Sequence, residues 1–304
     1  MQEVEQIARV PANNVQPTCV ACGATLGALV HFSHGAVSLH RCSQCASWTN
    51  LPRPTASGQI GLHDTAQYFD HPYFELRRNA ARLIDRRCRE VVRRLADAAA
   101  LDDLRGLRLL DVGCDTGAFL ESSARQFGVV PVGIDVAARA VARACDKGIT
   151  AFRTDIEHAP AELGEFQIIT ALDVIEHVVD PLALLEAVHK RLAPNGIAYL
   201  ETPNISSAVY GMGRALRSLA DGRLAGMLER LFPPQHIQYF TRQGLTTLAQ
   251  RSGLDVVQIL QRVLPNSDIA SSLLVRFGVA SIQLVDRLSG EMILICAVLR
   301  RASL

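Results

Sequence analysis

A chain of 304 residues with 49% hydrophobic and 20% charged residues can bury one large core and still carry a small appended module. That balance excludes a disordered chain, and a formal net charge of +1 excludes the basic profile of a nucleic-acid-coating protein, so no nucleic-acid partner is expected. The start, MQEVEQIARV, has no basic region followed by an apolar stretch, and no apolar run approaches the ~20 residues of a membrane-spanning helix. A cytoplasmic chain without a membrane span is the expectation, and composition leaves the oligomeric state open.

Residues 1–60 are rich in Cys, His, Pro, Ser and Gly and carry no long helical period, which marks a small separate module. Within it Cys19-x-x-Cys22 and Cys42-x-x-Cys45 form two knuckles at the spacing of a zinc ribbon. Four thiolates complete a tetrahedral shell and leave no open position for a reactive water, so the zinc they predict is structural. His31, His34 and His40 lie between the knuckles, and one of them could stand in for a cysteine, but the shell does not need it. Two disulfides are the competing use of these thiols, disfavoured by the reducing compartment that the scattered Cys88, Cys114, Cys145 and Cys296 suggest. Arg41 and Arg53 are a poor electrostatic footprint for nucleic acid.

Residues 61–304 read as one larger domain. From Pro72 to about Ala100, Leu76, Ala80, Leu83, Val91 and Leu95 recur at helical spacing or its multiples, predicting an amphipathic helix. The arginines from Arg77 to Arg94 outnumber Asp85 and Glu90; they form either a solvated face or a cationic wall for a phosphorylated or nucleotide-linked acceptor. Strands and helices then alternate: strand LRLLDV, helix AFLESSARQF, strand VVPVGID, helix AARAVARACDKG, strands ITAFRTD and FQIITALDV, helix PLALLEAVHKRLAPNG and strand GIAYLETPN. Such alternation predicts a parallel sheet covered by helices. A helical, glycine-punctuated insert at about residues 205–235, with Arg214, Arg217, Arg223 and Arg230 beside Leu216, Leu219, Leu224 and Leu228, reads as a lid packed on the domain or as a membrane-surface segment. A helix from Thr241, the strand GLDVVQIL, another helical segment and the strand EMILICAVL close the chain.

The run LRLLDVGCDTGAFL is a buried strand, a tight turn and a helix start, with Gly113 and Gly117 where the backbone must bend and approach a ligand. The next strand ends in Asp135, roughly 20 residues on, where a carboxylate can accept both hydroxyls of a ribose. The third ends in Asp155, within reach of an adenine amino group if the sheet is doubly wound. The Gly-x-Gly-x-x-Gly spacing of nicotinamide enzymes is not met.

With ALDVIEHVVDP on the fourth strand and ETPN closing the fifth, the sequence from about Leu107 to Thr247 resembles the class I S-adenosylmethionine-dependent methyltransferases, in their small-molecule and sugar branch. The resemblance implies an α/β fold, a doubly wound Rossmann-like sheet of seven mostly parallel strands, beside the zinc-ribbon module. It places Asp111 and Gly113 at the amino acid end of S-adenosylmethionine, with Cys114 and Gly117 completing the turn, Asp135 at the ribose, Asp155 at the adenine and Asp173 beside the sulfonium. Asp115 stands where the family has its middle glycine.

Relatives with such a module act on sugar nucleotides or natural-product sugars, so the resemblance implies a small sugar-containing or natural-product acceptor, methylated at oxygen; carbon and nitrogen are the nearer rivals. A hydroxyl acceptor must lose a proton, and a histidine is the usual base. His236, in PPQHIQYFT, resembles the family's His-x-x-x-Phe-Thr segment and is either that base or an anchor for the insert. His177, paired with Glu176 after the fourth strand, is the second candidate, with a structural role as its alternative. A non-catalytic scaffold or an RNA-binding protein retaining the fold is the rival of another class.

Overall fold

The computed structural model describes residues 16–34, 37–63, 65, 80–215, 228–229, 231–263 and 284–302. Seven strands form the main sheet: β4 (Arg108–Val112), β5 (Val130–Asp135), β6 (Thr150–Arg153), β7 (Phe166–Leu172), β8 (Leu192–Pro203), β10 (Leu254–Arg262) and β11 (Leu294–Arg301). Their order is β10-β11-β8-β7-β4-β5-β6. The pairs from β8 to β6 are parallel, and β11 runs antiparallel between β8 and β10. The expected Rossmann-like, mostly parallel sheet is therefore present.

Successive strand residues face opposite sides, and both sides are covered, which is why the central strands read as unbroken apolar runs. Leu109, Ile168, Ile197, Tyr199 and Val298 pack with helix α2 (Ala81–Ala99) through Cys88, Val91, Val92 and Leu95, and with α3 (Ala118–Phe127) through Leu120. Their neighbours Leu110, Ile169, Ala198, Leu200 and Ala297 pack on the other side with α5 (Pro181–Arg191) through Leu184, Leu185 and Val188, and with α7 (Arg242–Arg251) through Leu245 and Leu248. Helix α4 (Ala138–Asp146) follows β5. No helix among the described residues is long and apolar enough to cross a membrane.

Some boundaries differ from expectation. Helix α5 stops at Arg191 rather than running to Gly196, because Leu192 already takes extended angles and Pro194 follows. Of the helix expected from Pro72, residues 81–99 are helical and 71–79, with Leu76, Arg77 and Arg78, lie outside the described residues. Of the insert, α6 (Ala208–Ala215) is seen; Leu216, Arg217, Leu219, Arg223, Leu224 and Arg230 lie outside the described residues, as do positions 264–283 of the last helical segment.

The cysteine-bearing part contributes β1 (Phe32–His34), β2 (Val37–Arg41) and β3 (Trp48–Asn50), followed by α1 (Ala56–His63). Its sheet is completed from far along the chain: β9 (Gln238–Tyr239) pairs antiparallel with β3, Trp48 opposite Tyr239. Phe32, Leu39 and Trp48 share one buried cluster with Tyr210 of α6, Leu228, Phe232 and Tyr239. Each such large side chain taken from water contributes about 1.5 to 3 kcal/mol to holding the parts together. Thr241 caps α7 by accepting from the Gly244 amide at 3.0 Å and donates to the Cys45 carbonyl at 2.6 Å. Arg251 donates to the Val20 and Ala21 carbonyls.

Candidate active site

Strand order turns back at β4, flanked by β5 and β7, and ligands of such sheets bind beyond the carboxyl ends of the strands at that switch point. A cavity of about 740 Å³ lies there, lined by Asp111, Gly113, Cys114, Asp135, Asp155, Asp173 and His177 among others. Of the residues expected at the site, Gly117 and His236 are not on its wall.

The turn explains its own composition. Gly113 has φ +71°, and a Cβ there would sit 2.5 Å from Val174 Cγ2, so no other residue lets the β4 and β7 ends approach this closely. Gly117 serves packing instead, since a Cβ would meet the Ala144 Cβ of α4 at 3.1 Å. Asp115 also takes the left-handed conformation, φ 46°, which Asp tolerates better than most residues. Its amide donates to Asp135 Oδ2 at 2.9 Å, and the Ala137 amide donates to Oδ1 at 2.9 Å. The missing middle glycine is thus replaced by a residue that keeps the backbone path and orients the Asp135 carboxylate.

Asp111 is 3% exposed and accepts from Thr170 Oγ1 at 2.6 Å; burial pushes its carboxyl up to about 7. Asp155 Oδ1 accepts from the His158 amide at 2.8 Å and from His158 Nδ1 at 2.6 Å. Asp173, just past β7, lies in the left-handed region, φ 61°, a conformation of the kind held only by strong surroundings. Its amide donates to the Glu201 carbonyl at 2.9 Å, and its carboxylate meets Arg87 Nη2 at 2.8 Å. The same nitrogen reaches Glu201 Oε1 at 2.6 Å, and Arg262 holds Glu201 Oε2 at 2.8 Å and Glu90 at 3.2 Å. Burial opposes the Glu201 charge, but Arg87 and Arg262 outweigh it and hold the carboxyl below its ordinary range.

Of the arginines on α2, then, Arg86 and Arg87 reach the cavity, Arg87 with its charge committed to two carboxylates, while Arg82, Arg89 and Arg93 are exposed. The sequence pattern showed that cations lie here, but not that one is half-buried and bound to two carboxylates. Glu201, Arg262 and Gln59, which also line the cavity, were missed; the only signal for Glu201 was an acid ending a buried strand.

His177 Nδ1–H donates to the Gln235 carbonyl at 3.1 Å, and Gln59 Nε2 donates to the same oxygen at 2.8 Å. Burial, with His236 adding to it, holds the His177 imidazole down at about 3. The His236 ring stands edge-on to it, centroids 4.6 Å apart at 83°, with Tyr239 beyond at 5.6 Å. Glu176 is 1% exposed, accepts from Thr202 Oγ1 at 2.9 Å, and its backbone carbonyl accepts from the Ile237 and Gln238 amides. Candidate ligand atoms of Glu176, His177 and His236 all lie within 4.8 Å of one another.

On the far side of Thr241 the four cysteine sulfurs also converge within 4.8 Å, with Cys19 to Cys45 at 3.6 Å and Cys22 to Cys42 at 3.5 Å. A tetrahedral zinc with ~2.3 Å bonds needs sulfurs about 3.8 Å apart. The cluster therefore fits zinc and does not form disulfides.

Residues 78–259, more than half of the chain, match the family model described as a methyltransferase domain. Ubiquinone biosynthesis O-methyltransferase of Cereibacter sphaeroides is 33% identical over 172 residues, covering 53% of this chain and 65% of the relative. The enzyme of that name from Ruegeria pomeroyi is 41% identical over 114 residues, covering 35% and 45%. That from Neisseria meningitidis serogroup C is 34% identical over 116 residues, covering 36% and 49%, so the chain spans between about half and two thirds of such relatives. Among solved structures, a SAM-dependent methyltransferase from Archaeoglobus fulgidus superposes with a TM-score of 0.51 at 17% identity, covering 76% of this chain and 100% of the other. A putative sarcosine dimethylglycine methyltransferase from Galdieria sulphuraria gives 0.50 at 16% identity, covering 71% and 86%. With a matching family model over most of the seven-stranded sheet and the acidic strand ends gathered at its switch point, this chain belongs to the methyltransferase-domain family.

Proposed function

We propose that this chain transfers the methyl group of S-adenosylmethionine to a hydroxyl of a small-molecule acceptor. The observation that carries the reading is the meeting of Asp111, the Gly113 turn, Asp135, Asp155 and Asp173 around one cavity at the switch point. Similarity to enzymes named O-methyltransferases supports oxygen over nitrogen or carbon. When bound, S-adenosylmethionine supplies an electrophilic methyl carbon whose bond to sulfur breaks as the acceptor oxygen bonds to it.

The chain's own residues then have these tasks. Gly113 lets the β4 and β7 ends close together beside the cofactor's amino acid end, and Asp135, aimed by the Asp115 and Ala137 amides, accepts from the ribose hydroxyls. Asp155 accepts from the adenine amino group. Asp111 and Asp173 keep negative charge near the cofactor's cationic centres. Arg87 and Glu201 hold Asp173 in its left-handed conformation. The remaining work is to align the acceptor and exclude water.

His177 is the imidazole on the wall and His236 packs against it, so of the two it is His177 that reaches the acceptor, as a neutral imidazole that accepts its hydrogen bond, with His236 positioning it. A sugar-containing or natural-product acceptor fits a site buttressed by the cysteine module, whose β3 pairs with the strand that follows His236. The four cysteines hold a structural zinc in this reading. The test incubates the full chain with S-adenosylmethionine and a panel of phenols, sugars, nucleotide sugars and amines, and reads methylated products by mass spectrometry. A methylated hydroxyl is expected; methylation of the amines alone would move the reaction to nitrogen.

A further inference from the structure

The Glu176, His177 and His236 group has a composition that the methyl-transfer reading does not require. Glu176 is a fully buried carboxylate whose side chain is met by the Thr202 hydroxyl, and among the described residues no lysine or arginine pairs with it. The nearby guanidiniums of Arg87 and Arg262 are bound to Asp173, Glu201 and Glu90 instead. A buried carboxylate without a cation is costly. What faces it is a pair of imidazoles.

The imidazole on the wall is also oriented as a ligand would be. Its Nδ1–H is fixed on the Gln235 carbonyl, so Nε2 carries the lone pair. A second hydrogen bond, from Gln59, pins that carbonyl, and Thr202 pins the carboxylate. Outer hydrogen bonds of this kind are how proteins set the tautomer and direction of metal-binding side chains. One candidate ligand atom from each of the three residues lies within 4.8 Å of the other two. Bonds of about 2.1 Å need neighbouring donors about 3 to 3.5 Å apart, a closure of at most about 1.3 to 1.8 Å that side-chain torsions supply.

We propose that Glu176, His177 and His236 bind a divalent first-row transition metal ion at the acceptor end of the cavity, and that this ion selects acceptors with two adjacent oxygens. Two imidazoles and one carboxylate suit zinc, manganese or iron, and three protein ligands leave positions open. His177 lies on the cavity wall, so an open position faces the acceptor. A hydroxyl beside a second hydroxyl or a carbonyl would chelate there, become acidic enough to release its proton to water, and need no imidazole base. This inference rests on the methyltransferase reading for its acceptor, but not for its metal.

The test uses the full chain with its four-cysteine site loaded with zinc. Zinc and manganese are each titrated by calorimetry, with S-adenosylhomocysteine titrated in parallel. The wild type should take up one further ion per chain. Glu176→Gln and His236→Gln should each weaken that step at least tenfold while S-adenosylhomocysteine affinity stays within threefold of wild type, which also reports a folded variant. If either variant does not fold, Thr202→Val, which removes only the hydrogen bond to the carboxylate, should weaken the ion several-fold. No further uptake of either ion, or uptake undiminished in the variants, overturns the metal site. Loss of S-adenosylhomocysteine binding in the wild type with ion uptake intact would instead overturn the methyltransferase reading alone.

Discussion

Replacing Arg87 by Leu is expected to destabilise the fold and loosen the cofactor site together. Arg87 Nη2 meets Asp173 at 2.8 Å and Glu201 at 2.6 Å, and Glu201 is 1% exposed, so the substitution leaves a buried carboxylate with one cationic partner, Arg262, beside the weaker donors Tyr199 and Cys296. Breaking a buried pair from one side costs about 3 to 5 kcal/mol. Arg262 offsets part of that, and the lower end of the range is expected. Arg93→Ala, at an exposed position on the same helix, should cost under about 0.5 kcal/mol. Urea unfolding midpoints at constant m-value measure both. The second mutation Glu201→Gln removes the stranded charge, so the double variant should lose clearly less than the sum of the two single losses. Because Asp173 also loses its tether, S-adenosylhomocysteine affinity should fall in Arg87→Leu. An Arg87→Leu loss below about 1 kcal/mol, or strict additivity with Glu201→Gln, would refute the account of this network.

Gly113→Ala should abolish cofactor binding and lower stability, since the left-handed conformation alone costs about 1 to 2 kcal/mol for Ala and the new Cβ meets Val174 Cγ2 at 2.5 Å; normal binding by calorimetry would contradict this. Asp111→Asn tests the raised carboxyl, whose folded value of about 7 lies above the unfolded ~3.9. The folded state therefore holds the proton longer, and wild-type stability falls as pH rises from about 4 to 7, by at most about 4 kcal/mol. Thermal unfolding should show the Asn variant gaining on wild type between about pH 4 and 7 while binding cofactor more weakly; a pH-independent difference would argue against it. Cys42→Ser should lower the zinc content of the purified chain and slow turnover, because β3 loses the support that holds β9 and His236, while S-adenosylhomocysteine affinity changes little. Full turnover in zinc-free protein would separate the module from the site.

Much of this site is legible in the amino-acid sequence. A buried strand followed by glycines, and acids at the ends of successive strands, mark a candidate ligand site because the sheet's order puts strand ends side by side. The cysteine spacing likewise contains its own geometry. What stayed hidden depends on pairings across long stretches of chain. Arg87 meets Asp173 and Glu201, 86 and 114 residues away, and no local pattern distinguishes it from the exposed Arg89. Strand β9 has two residues, too short for a period, yet it ties residues 238–239 to the cysteine module. His177 and His236 were each visible as candidates, but only the fold shows that one lies on the cavity wall and the other packs against it. Asp115 looked like a departure from the family turn because sequence records the side chain and not the φ of 46° that it shares with glycine.

The most direct test of the central claim is a calorimetric titration of S-adenosylhomocysteine into the wild type and Asp135→Ala. The account predicts one site per chain in the wild type and at least a tenfold weaker one in the variant, since the carboxylate held by the Asp115 and Ala137 amides is lost. No binding to the wild type, or equal affinity for both proteins, would contradict it.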